Sequence, residues 1–388
     1  MGMPCVAHEC DLVLGLIRSG RPNANNPKDL MEKFTTKAYG ASGGVLGGKT
    51  LQAMDVEREG PKAHEVVIDV MYCGVCHSDI HQVANDWKNT VYPCVPGHEI
   101  VGRIASLGSG VTRFKTGDVV GVGCMIDSCK QCASCLKGDE EFCSGPVGMT
   151  MTYNGYWKPD GSDFNTFGGF STQIVANEEF LLRIPGSLEI SAVAPILCAG
   201  VTTYSPLMHR GVKAGDKVGI IGIGGLGHMG VMIAKAMGAT VVAITTSEEK
   251  TAMATELGAD EVLVSTDEEA MKAAEVTFDF LLCTIPYGFD LNPYVKLLGV
   301  RGSMVTVGLL GPYDKPTDNM EMAKYARSVG ASFIGSIAET QEVLDFCAEH
   351  NILPEVQMID IKTINEAFTK IKDEDVRFRY VIDMQSLK

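Results

Sequence analysis

The stretch Lys217–Gly238, KVGIIGIGGLGHMGVMIAKAMG, decides the fold of the chain's second half. It opens with an apolar run of the length of a buried parallel strand, which enters a cluster of glycines. An apolar segment of helical length follows and ends at Gly238. Strand-like and helix-like segments keep alternating from about Gly186 to Ser336. This alternation predicts an α/β fold with a doubly wound parallel sheet.

The glycines of this stretch predict a dinucleotide-binding site. They match the pattern G-x-G-x-x-G between a predicted strand and a predicted helix, the context that makes the pattern informative. Outside that context, the pattern is often no more than a glycine-rich turn. These glycines permit a tight turn and a close approach of a pyrophosphate to the helix N-terminus. The predicted contact residues are Gly222, Gly224, Gly225, Leu226 and Gly227.

The end of the next predicted strand, ITTSEEK at residues 244–250, distinguishes between the two nicotinamide cofactors. NAD needs an acid here for its ribose 2′-hydroxyl, whereas hydroxyl groups and a cation suit a 2′-phosphate. The hydroxyl groups and the cation are those of Thr245, Thr246, Ser247 and Lys250. We therefore expect NADP(H), although Glu248 and Glu249 count against it unless they face solvent.

The segment Cys73–Glu99, CGVCHSDIHQVANDWKNTVYPCVPGHE, predicts a catalytic zinc site in a loop of a β-rich domain. It offers a thiol at Cys76, an imidazole at His98 and a carboxylate at Glu99. Two or three protein ligands and an open position are typical of catalytic zinc, whereas structural zinc is closed by protein alone. We expect a further ligand from far along the chain, and Cys198 is the best candidate.

Three polar residues directly after Cys76 predict the proton chemistry of the site. Reducing a carbonyl requires a proton, and Ser78 could pass one on from a more exposed His81. His77 is better placed to meet a cofactor phosphate. A single histidine in a cysteine-rich loop is more often structural, but this group beside Cys76 and His98 favours the functional interpretation.

Four further cysteines, in the spacing C-x2-C-x2-C-x7-C, predict a second and purely structural zinc. They are Cys129, Cys132, Cys135 and Cys143. Iron–sulfur ligation is the alternative, but no second cluster motif follows. The odd total of 13 cysteines and their clustering indicate reduced thiols, and hence a cytoplasmic protein.

Composition and length limit the partners and the domain number. The net charge of −15 argues against nucleic acid and against an anionic membrane surface, and no run of 18 apolar residues exists. A chain of 388 residues is too long for one ordinary core. We divide it into an N-terminal extension (1–33), a β-rich catalytic domain (34–185 and 337–388) and a dinucleotide-binding domain (186–336).

These motifs together resemble the zinc-dependent medium-chain dehydrogenases. The resemblance rests on CHSDIH from Cys76, on GHE at residues 97–99, on the four-cysteine lobe, on CAGVT from Cys198 and on GIGGLGHMG. Within the family the chain most resembles the cinnamyl-alcohol-dehydrogenase branch. It is especially similar to bacterial NADPH-dependent aldehyde reductases, through VYPCVPGHEIVGR, VAPILCAGVTTYSPL and AITTSEEK.

The resemblance implies a GroES-like catalytic domain, a Rossmann domain and a homodimer. It also implies that Cys76, His98 and Cys198 bind the catalytic zinc beside Glu99, and that Thr202 contacts the cofactor. The substrate pocket that it implies is formed by Trp87, Met151, Phe333 and Ile334. Met151 stands where the plant enzymes carry a pocket tryptophan, which argues against narrow specificity for cinnamyl substrates.

We therefore expect an NADP(H)-dependent enzyme with two zinc ions per chain that interconverts primary alcohols and aldehydes, as a broad-range aldehyde reductase. A dedicated cinnamyl or aryl-alcohol dehydrogenase is the alternative among enzymes. A non-catalytic NADP-binding protein is the alternative from another class, although the complete set of zinc ligands argues against it.

Overall fold

The computed structural model describes residues 32–44, 50–158, 160–308, 310–372 and 379–387. The expected N-terminal extension lies outside this part of the chain, apart from residues 32 and 33.

Short strands occur throughout the described chain, from β1 near its start to β17 near its end. They are β1 (Phe34–Gly40), β2 (Gln52–Arg58), β3 (Glu65–Gly74), β4 (Ile100–Leu107), β5 (Val119–Val122), β6 (Met125–Asp127), β7 (Thr150–Met151), β8 (Gln173–Asn177), β9 (Leu182–Arg183), β10 (Lys217–Ile221), β11 (Thr240–Thr245), β12 (Glu261–Val264), β13 (Phe278–Cys283), β14 (Leu298–Thr306), β15 (Ser328–Ala331), β16 (Val356–Asp360) and β17 (Arg379–Asp383).

Helices are concentrated after residue 190. They are α1 (His77–Ala84), α2 (Ile190–Val193), α3 (Ala199–His209), α4 (Gly227–Ala236), α5 (Thr251–Glu256), α6 (Glu268–Ala273), α7 (Asn292–Val295), α8 (Asn319–Lys324), α9 (Ile337–His350) and α10 (Ile364–Lys372). Among the described residues, no single helix is long and apolar enough to cross a membrane. One bent pair, Ile190–Leu197 with Ala199–His209, qualifies by length and composition only.

The second half of the chain forms a six-stranded sheet in the order β12-β11-β10-β13-β14-β15. All of its neighbouring strands are parallel, which confirms the doubly wound sheet. The order reverses beside β10, because β11 pairs on one side of it and β13 on the other. A crevice outside the carboxyl ends of the strands is expected at such a reversal. The glycine-rich turn after Ile221 lies at this point.

The β-rich part of the protein is built on a second sheet, in the order β16-β17-β3-β4-β5-β9, with β8 also paired to β3. Most of its strands come from the first half of the chain, but β16 and β17 come from the end. Strand β17, from the end of the chain, pairs antiparallel with β3. The hydrophobic core of this part of the protein includes the fully buried Ile68, Ile100, Phe170 and Ile382. The pairing of β17 with β3 brings Arg379 beside the segment that starts at Cys73.

Helix α9 packs on α3, and its buried Val343 and Leu344 share one core with Val201 and Leu207 of α3. Two reciprocal hydrogen bonds stabilise its start. The Ser336 N–H donates to the Glu339 side chain, and the Glu339 N–H donates to the Ser336 side chain. The helix thus contacts the α/β half, whereas β17 joins the β-rich half. The division of the chain at residues 185/186 and 336/337 therefore stays a prediction.

Candidate active site and metal centres

The site is organised by the fully buried carboxylate of Asp79, on the first turn of α1. One of its oxygens accepts a hydrogen bond from the Cys76 backbone N–H at 2.8 Å, which fixes the start of the helix. The other oxygen accepts one from the Gly97 N–H at 3.0 Å and lies 3.2 Å from His98 Nδ1. A single acid therefore holds Cys76 and His98 in place and leaves His98 Nε2 to face the thiols.

The four predicted metal-binding groups of Cys76, His98, Glu99 and Cys198 lie within 4.8 Å of one another, and all four residues are buried. Cys198 stands at the N-terminus of α3, with its Sγ 3.2 Å from His98 Nε2. Two thiols, one imidazole and one carboxylate at this spacing are the donor set that zinc prefers. The residues present therefore fit a zinc ion.

The buried groups of the site strongly influence one another's protonation. Contact with Cys198 holds the pKa of the Cys76 thiol well below its usual value. Although burial lowers it, the neighbouring Asp79 carboxylate raises the pKa of His98 well above its usual value. The thiolate form of Cys76, which is the form that binds metal ions, is therefore favoured in this site.

Glu99 is buried behind this cluster, with one oxygen 3.2 Å from Arg379 Nη2. The geometry of this contact is not that of a hydrogen bond, and neither carboxylate oxygen has a hydrogen-bond partner among the described residues. Burial raises the pKa of Glu99 to about 7, against the lowering effect of the Arg379 charge. Arg379 is fixed from its other side by donating to the Val75 carbonyl at 3.0 Å. An unsatisfied carboxylate this close to the thiols is available as a further metal ligand.

Two residues that were not singled out in the sequence also contact the cluster. The neighbouring Cys198 thiol lowers the pKa of the Cys124 thiol. The buried Tyr153 places its ring 5.6 Å from the ring of His98, and burial together with the nearby Asp79 carboxylate raises the pKa of its hydroxyl well above the usual value. Neither residue belongs to a recognisable spacing, so no local signal in the sequence points to them.

The proposed proton-transfer residues lie on one face of α1, three residues apart. Ser78 Oγ is 3.7 Å from Cys76 Sγ, beside the metal-binding groups. The His81 side chain is 31% exposed, and its Nδ1 lies 2.8 Å from a carboxylate oxygen of Asp86. Both residues line the cleft, so the face of α1 leads from the metal-binding cluster towards solvent.

The glycine turn after β10 has the shape that a dinucleotide needs. Gly222 has a φ of +86°, and a Cβ on Gly227 would lie 1.9 Å from the Gly222 carbonyl oxygen. A Cβ on Gly224 would meet nothing within 4 Å, so this backbone faces the open cleft. The buried Thr202 Oγ1, which also lines the cleft, has no hydrogen-bond partner among the described residues. A tight turn, an open backbone and an unsatisfied hydroxyl fit a bound dinucleotide.

Most of the residues predicted to bind the ribose phosphate lie in the same cleft. Thr245, Thr246 and Lys250 line it, as do His77 and Leu226. Ser247 does not line the cleft, and its hydroxyl instead accepts a hydrogen bond from the Glu249 N–H at 3.2 Å. Of the two acids that counted against NADP, Glu249 lines the cleft and Glu248 does not.

The other cysteine cluster forms a separate, closed site. The sulfurs of Cys129, Cys132, Cys135 and Cys143 lie within 4.8 Å of one another. Backbone N–H groups of Cys135 and Ser144 point at the Cys132 sulfur and lower its pKa to about 5. Four thiol groups around one point leave no open position, as in structural zinc sites.

Both halves of the chain line one cleft of about 830 Å³. Three members of the metal-binding cluster, Cys76, His98 and Cys198, line it. The predicted substrate residues Trp87, Met151, Phe333 and Ile334 line it too. Further aromatic residues that were not predicted also line the cleft, among them Tyr156 and Trp157. The arrangement can hold a dinucleotide, a metal ion and a largely apolar substrate in one volume.

Two family models match the chain. The model described as alcohol dehydrogenase GroES-like domain matches residues 62–186, and the one described as zinc-binding dehydrogenase matches residues 225–349. Among curated proteins, the aldehyde reductase YahK of Escherichia coli strain K12 is 48% identical over 348 residues. That alignment covers 89% of this chain and 98% of YahK.

Two solved structures share the fold over almost their whole length. A cinnamyl alcohol dehydrogenase from Sorghum bicolor has a TM-score of 0.85 and 38% identity, covering 91% of this chain and 98% of that one. The CAD from Helicobacter pylori in complex with NADP(H) has a TM-score of 0.82 and 37% identity, covering 91% and 99%.

Proposed function

The chain belongs to the zinc-dependent medium-chain dehydrogenases, in the cinnamyl-alcohol-dehydrogenase branch, and we propose that it acts as a broad-range aldehyde reductase that uses NADPH. The general reaction is the interconversion of alcohols and aldehydes. The observation that carries the proposal is the buried cluster of Cys76, His98, Glu99 and Cys198 in the wall of a cleft that has a dinucleotide-binding turn.

Each chain is proposed to hold two zinc ions, one in each cluster. In the cleft, Cys76, His98 and Cys198 would bind one ion, with Glu99 close enough to act as a further ligand. The four-cysteine lobe would bind the other ion. The first ion supplies Lewis-acid polarisation of the substrate carbonyl, and NADPH supplies the hydride.

Ser78 and His81 carry the proton in this proposal. The Ser78 hydroxyl lies beside Cys76 and donates its proton to the oxygen of the reduced carbonyl. His81, partly exposed and oriented by Asp86, exchanges protons with solvent and restores the hydroxyl. The shared face of α1 supports this assignment, because it connects the buried cluster with the open end of the cleft.

The preference for NADPH rests on the end of β11. Thr245, Thr246 and Lys250 offer two hydroxyl groups and one ammonium group to a 2′-phosphate in the cleft. The H. pylori structure that this chain resembles was solved with NADP(H), which supports the same cofactor here.

We further propose a homodimer in the cytoplasm. In the described part of the chain, β15 pairs only with β14 and is the last strand of its sheet, so its other edge is open to a second copy. Val300 on β14 and Met320 on α8 are 69% and 64% exposed, and exposed apolar side chains of this kind favour burial in an interface. The two clusters of reduced thiols suit a reducing compartment.

A dedicated aryl-alcohol dehydrogenase is the second candidate. The observation that favours it is the concentration of aromatic side chains in the cleft. These are Trp87, Tyr153, Tyr156, Trp157, Tyr287, Tyr294 and Phe333.

The test is oxidation of NADPH and of NADH, side by side, with aliphatic and aromatic aldehydes, before and after treatment with a chelator. Strong NADPH preference, turnover of both aldehyde types and loss of activity on chelation support the proposal. Turnover of aromatic aldehydes alone favours the second candidate. A preference for NADH contradicts the assignment of Thr245 to Lys250. Absence of turnover in a zinc-loaded protein points instead to a non-catalytic NADP-binding protein.

A further inference from the structure

Both tryptophans of the chain line the catalytic cleft. Trp87 follows α1 and lies with its ring 5.6 Å from that of His81. Trp157 lies in the loop after β7 and is 42% exposed, an unusual position for so large an apolar ring. The proton-transfer proposal accounts for the surroundings of Trp87 but gives Trp157 no role.

Trp157 is held by a well-anchored loop. Its backbone N–H donates to the Met149 carbonyl at 3.0 Å, and Met149 is buried in the core of the four-cysteine lobe. Upstream in the loop, the Asn154 side chain accepts from the Val91 N–H at 2.7 Å and donates to the Asn89 carbonyl at 3.1 Å. The position of the indole ring is therefore defined by the fold.

The indole ring contacts Phe333, which reaches the cleft from the other half of the chain. The two ring centroids are 4.8 Å apart at an interplanar angle of 41°. Phe333 and Ile334 lie between β15 and α9 and pack on the same four-cysteine lobe. Ile334 has a φ of +42°, a left-handed conformation that is rare for a β-branched residue. Such strain persists only where the surroundings hold the segment firmly, so Phe333 is a fixed partner for Trp157.

We propose that Trp157 is a specificity-determining residue that, with Phe333, forms an aromatic wall selecting planar, conjugated aldehydes over saturated ones of equal size. This inference rests on the proposed aldehyde reductase function. Flat rings gain offset or edge-to-face contacts with neighbouring aromatic rings, whereas a puckered saturated ring does not. The wall spans the boundary between the two halves of the chain, so it is complete only when both line the cleft.

Met151 does not offer such a wall. It packs against the same lobe as Phe333, but its flexible thioether adapts to many shapes and does not discriminate flat from puckered rings. Trp157, and not Met151, therefore supplies the rigid aromatic surface on this side of the cleft.

The test compares benzaldehyde with cyclohexanecarbaldehyde, two aldehydes with the same number of carbon atoms and rings of different shape. In Trp157→Leu, the ratio of kcat/KM for benzaldehyde to that for cyclohexanecarbaldehyde should fall by about 3- to 10-fold, the size expected for one aromatic contact. The change should appear mainly in KM, because Trp157 does not touch the metal-binding groups. Trp157→Phe keeps a ring and should retain the ratio within about 2-fold. Leu353→Ala, at an exposed apolar residue outside the cleft, is the control and should leave the ratio unchanged.

Fluorescence provides a second measurement that does not depend on turnover. In Trp87→Phe, Trp157 is the sole tryptophan, and benzamide, which has the ring but no reducible aldehyde, should change its emission at the concentration at which it inhibits. An unchanged ratio in Trp157→Leu, or an unchanged emission with benzamide bound, overturns the role of Trp157 and leaves the reductase proposal standing. Failure of the wild-type protein to reduce either aldehyde with NADPH overturns both.

Discussion

Replacing Asp79 by Asn is the sharpest test of how the catalytic cluster is held together. The aspartate is fully buried, and its two oxygens face the N–H groups of Cys76 and Gly97 as well as His98 Nδ1. An amide has one oxygen and one NH2 group. Its oxygen can accept hydrogen bonds in place of one carboxylate oxygen, but its NH2 group then stands where the other oxygen accepted, facing a backbone N–H with which it cannot form a hydrogen bond. When the NH2 group faces His98, it also favours the tautomer with a proton on Nε2, the atom that faces Cys198.

The magnitude follows from the contacts that are lost. Each hydrogen bond to a buried charged group is worth about 1.5–3 kcal/mol, and one or two are lost, so the free energy of unfolding should fall by about 1.5–6 kcal/mol. Losing the acid behind a histidine ligand typically weakens metal binding by about 10- to 100-fold. The control is Asp86→Asn, because the Asp86 side chain is 52% exposed and pairs with His81 near the surface. It should change stability by less than about 0.5 kcal/mol and leave zinc affinity unchanged.

Two assays separate these effects. Equilibrium unfolding in urea measures the stability of the metal-loaded proteins, and competition with a coloured chelator measures how tightly the zinc ions are held. The expected pattern is a large loss of stability and one weakened zinc ion in Asp79→Asn, with the second ion unaffected. If Asp79→Asn loses less than about 1 kcal/mol and retains both ions as well as the wild type, the argument that this carboxylate positions the site is wrong.

Three further predictions concern the proton, the cofactor and acid stability. Ser78→Ala should lower kcat by at least about 100-fold while NADPH affinity, measured by fluorescence titration, stays the same, since only proton transfer is removed; full activity would rule out the relay. Gly224→Ala should fold normally and bind NADPH poorly, because its Cβ meets only open cleft, whereas Gly227→Ala should also lower the melting temperature, because its Cβ would lie 1.9 Å from a backbone oxygen. Equal effects of the two alanines in both assays would contradict the proposed turn geometry. Although burial raises it, hydrogen bonds from Arg113, Thr112 and His64 leave the pKa of Glu178 below its ordinary 4.5. A lowered folded pKa stabilises the fold above the ordinary value, so Glu178→Gln should destabilise the protein at neutral pH and the difference should shrink as the pH falls below about 4.5. A difference that is constant with pH would show that the charge of Glu178 does not matter.

Local patterns were sufficient for much of the fold and for the clusters. Glycines after an apolar run predicted the turn after β10, because that turn needs residues without side chains at Gly222 and Gly227. Cysteines at short spacing predicted the four-cysteine lobe, because neighbouring thiols in a tight loop can all reach one point. Cys198 was a prediction of a different kind, since it lies 100 residues after His98 and only the fold brings the two together.

Contacts made by distant, unpatterned residues could not be predicted. Arg379 donates a hydrogen bond to the carbonyl of Val75, 304 residues earlier in the chain, because the last strand pairs with β3. No sequence pattern near Arg379 predicts this contact. Tyr153 reaches Asp79 from a loop, and Trp157 meets Phe333 across the two halves of the chain. These contacts depend on side-chain directions in irregular segments, where no periodicity restricts them.

The separation of Cys198 from the rest of its cluster sets an order of assembly during translation. The four-cysteine lobe is complete within residues 129–143, so it can capture its ion as soon as that segment has left the ribosome. Cys198 emerges 100 residues after His98, a delay of about 5–20 s at common rates of synthesis. Throughout that interval the nascent chain displays Cys76 and His98 as an incomplete, exposed pair, vulnerable to oxidants and to the wrong metal. If both clusters hold zinc as proposed, we therefore expect the lobe to load first and the catalytic cluster to load only after Cys198 has been synthesised.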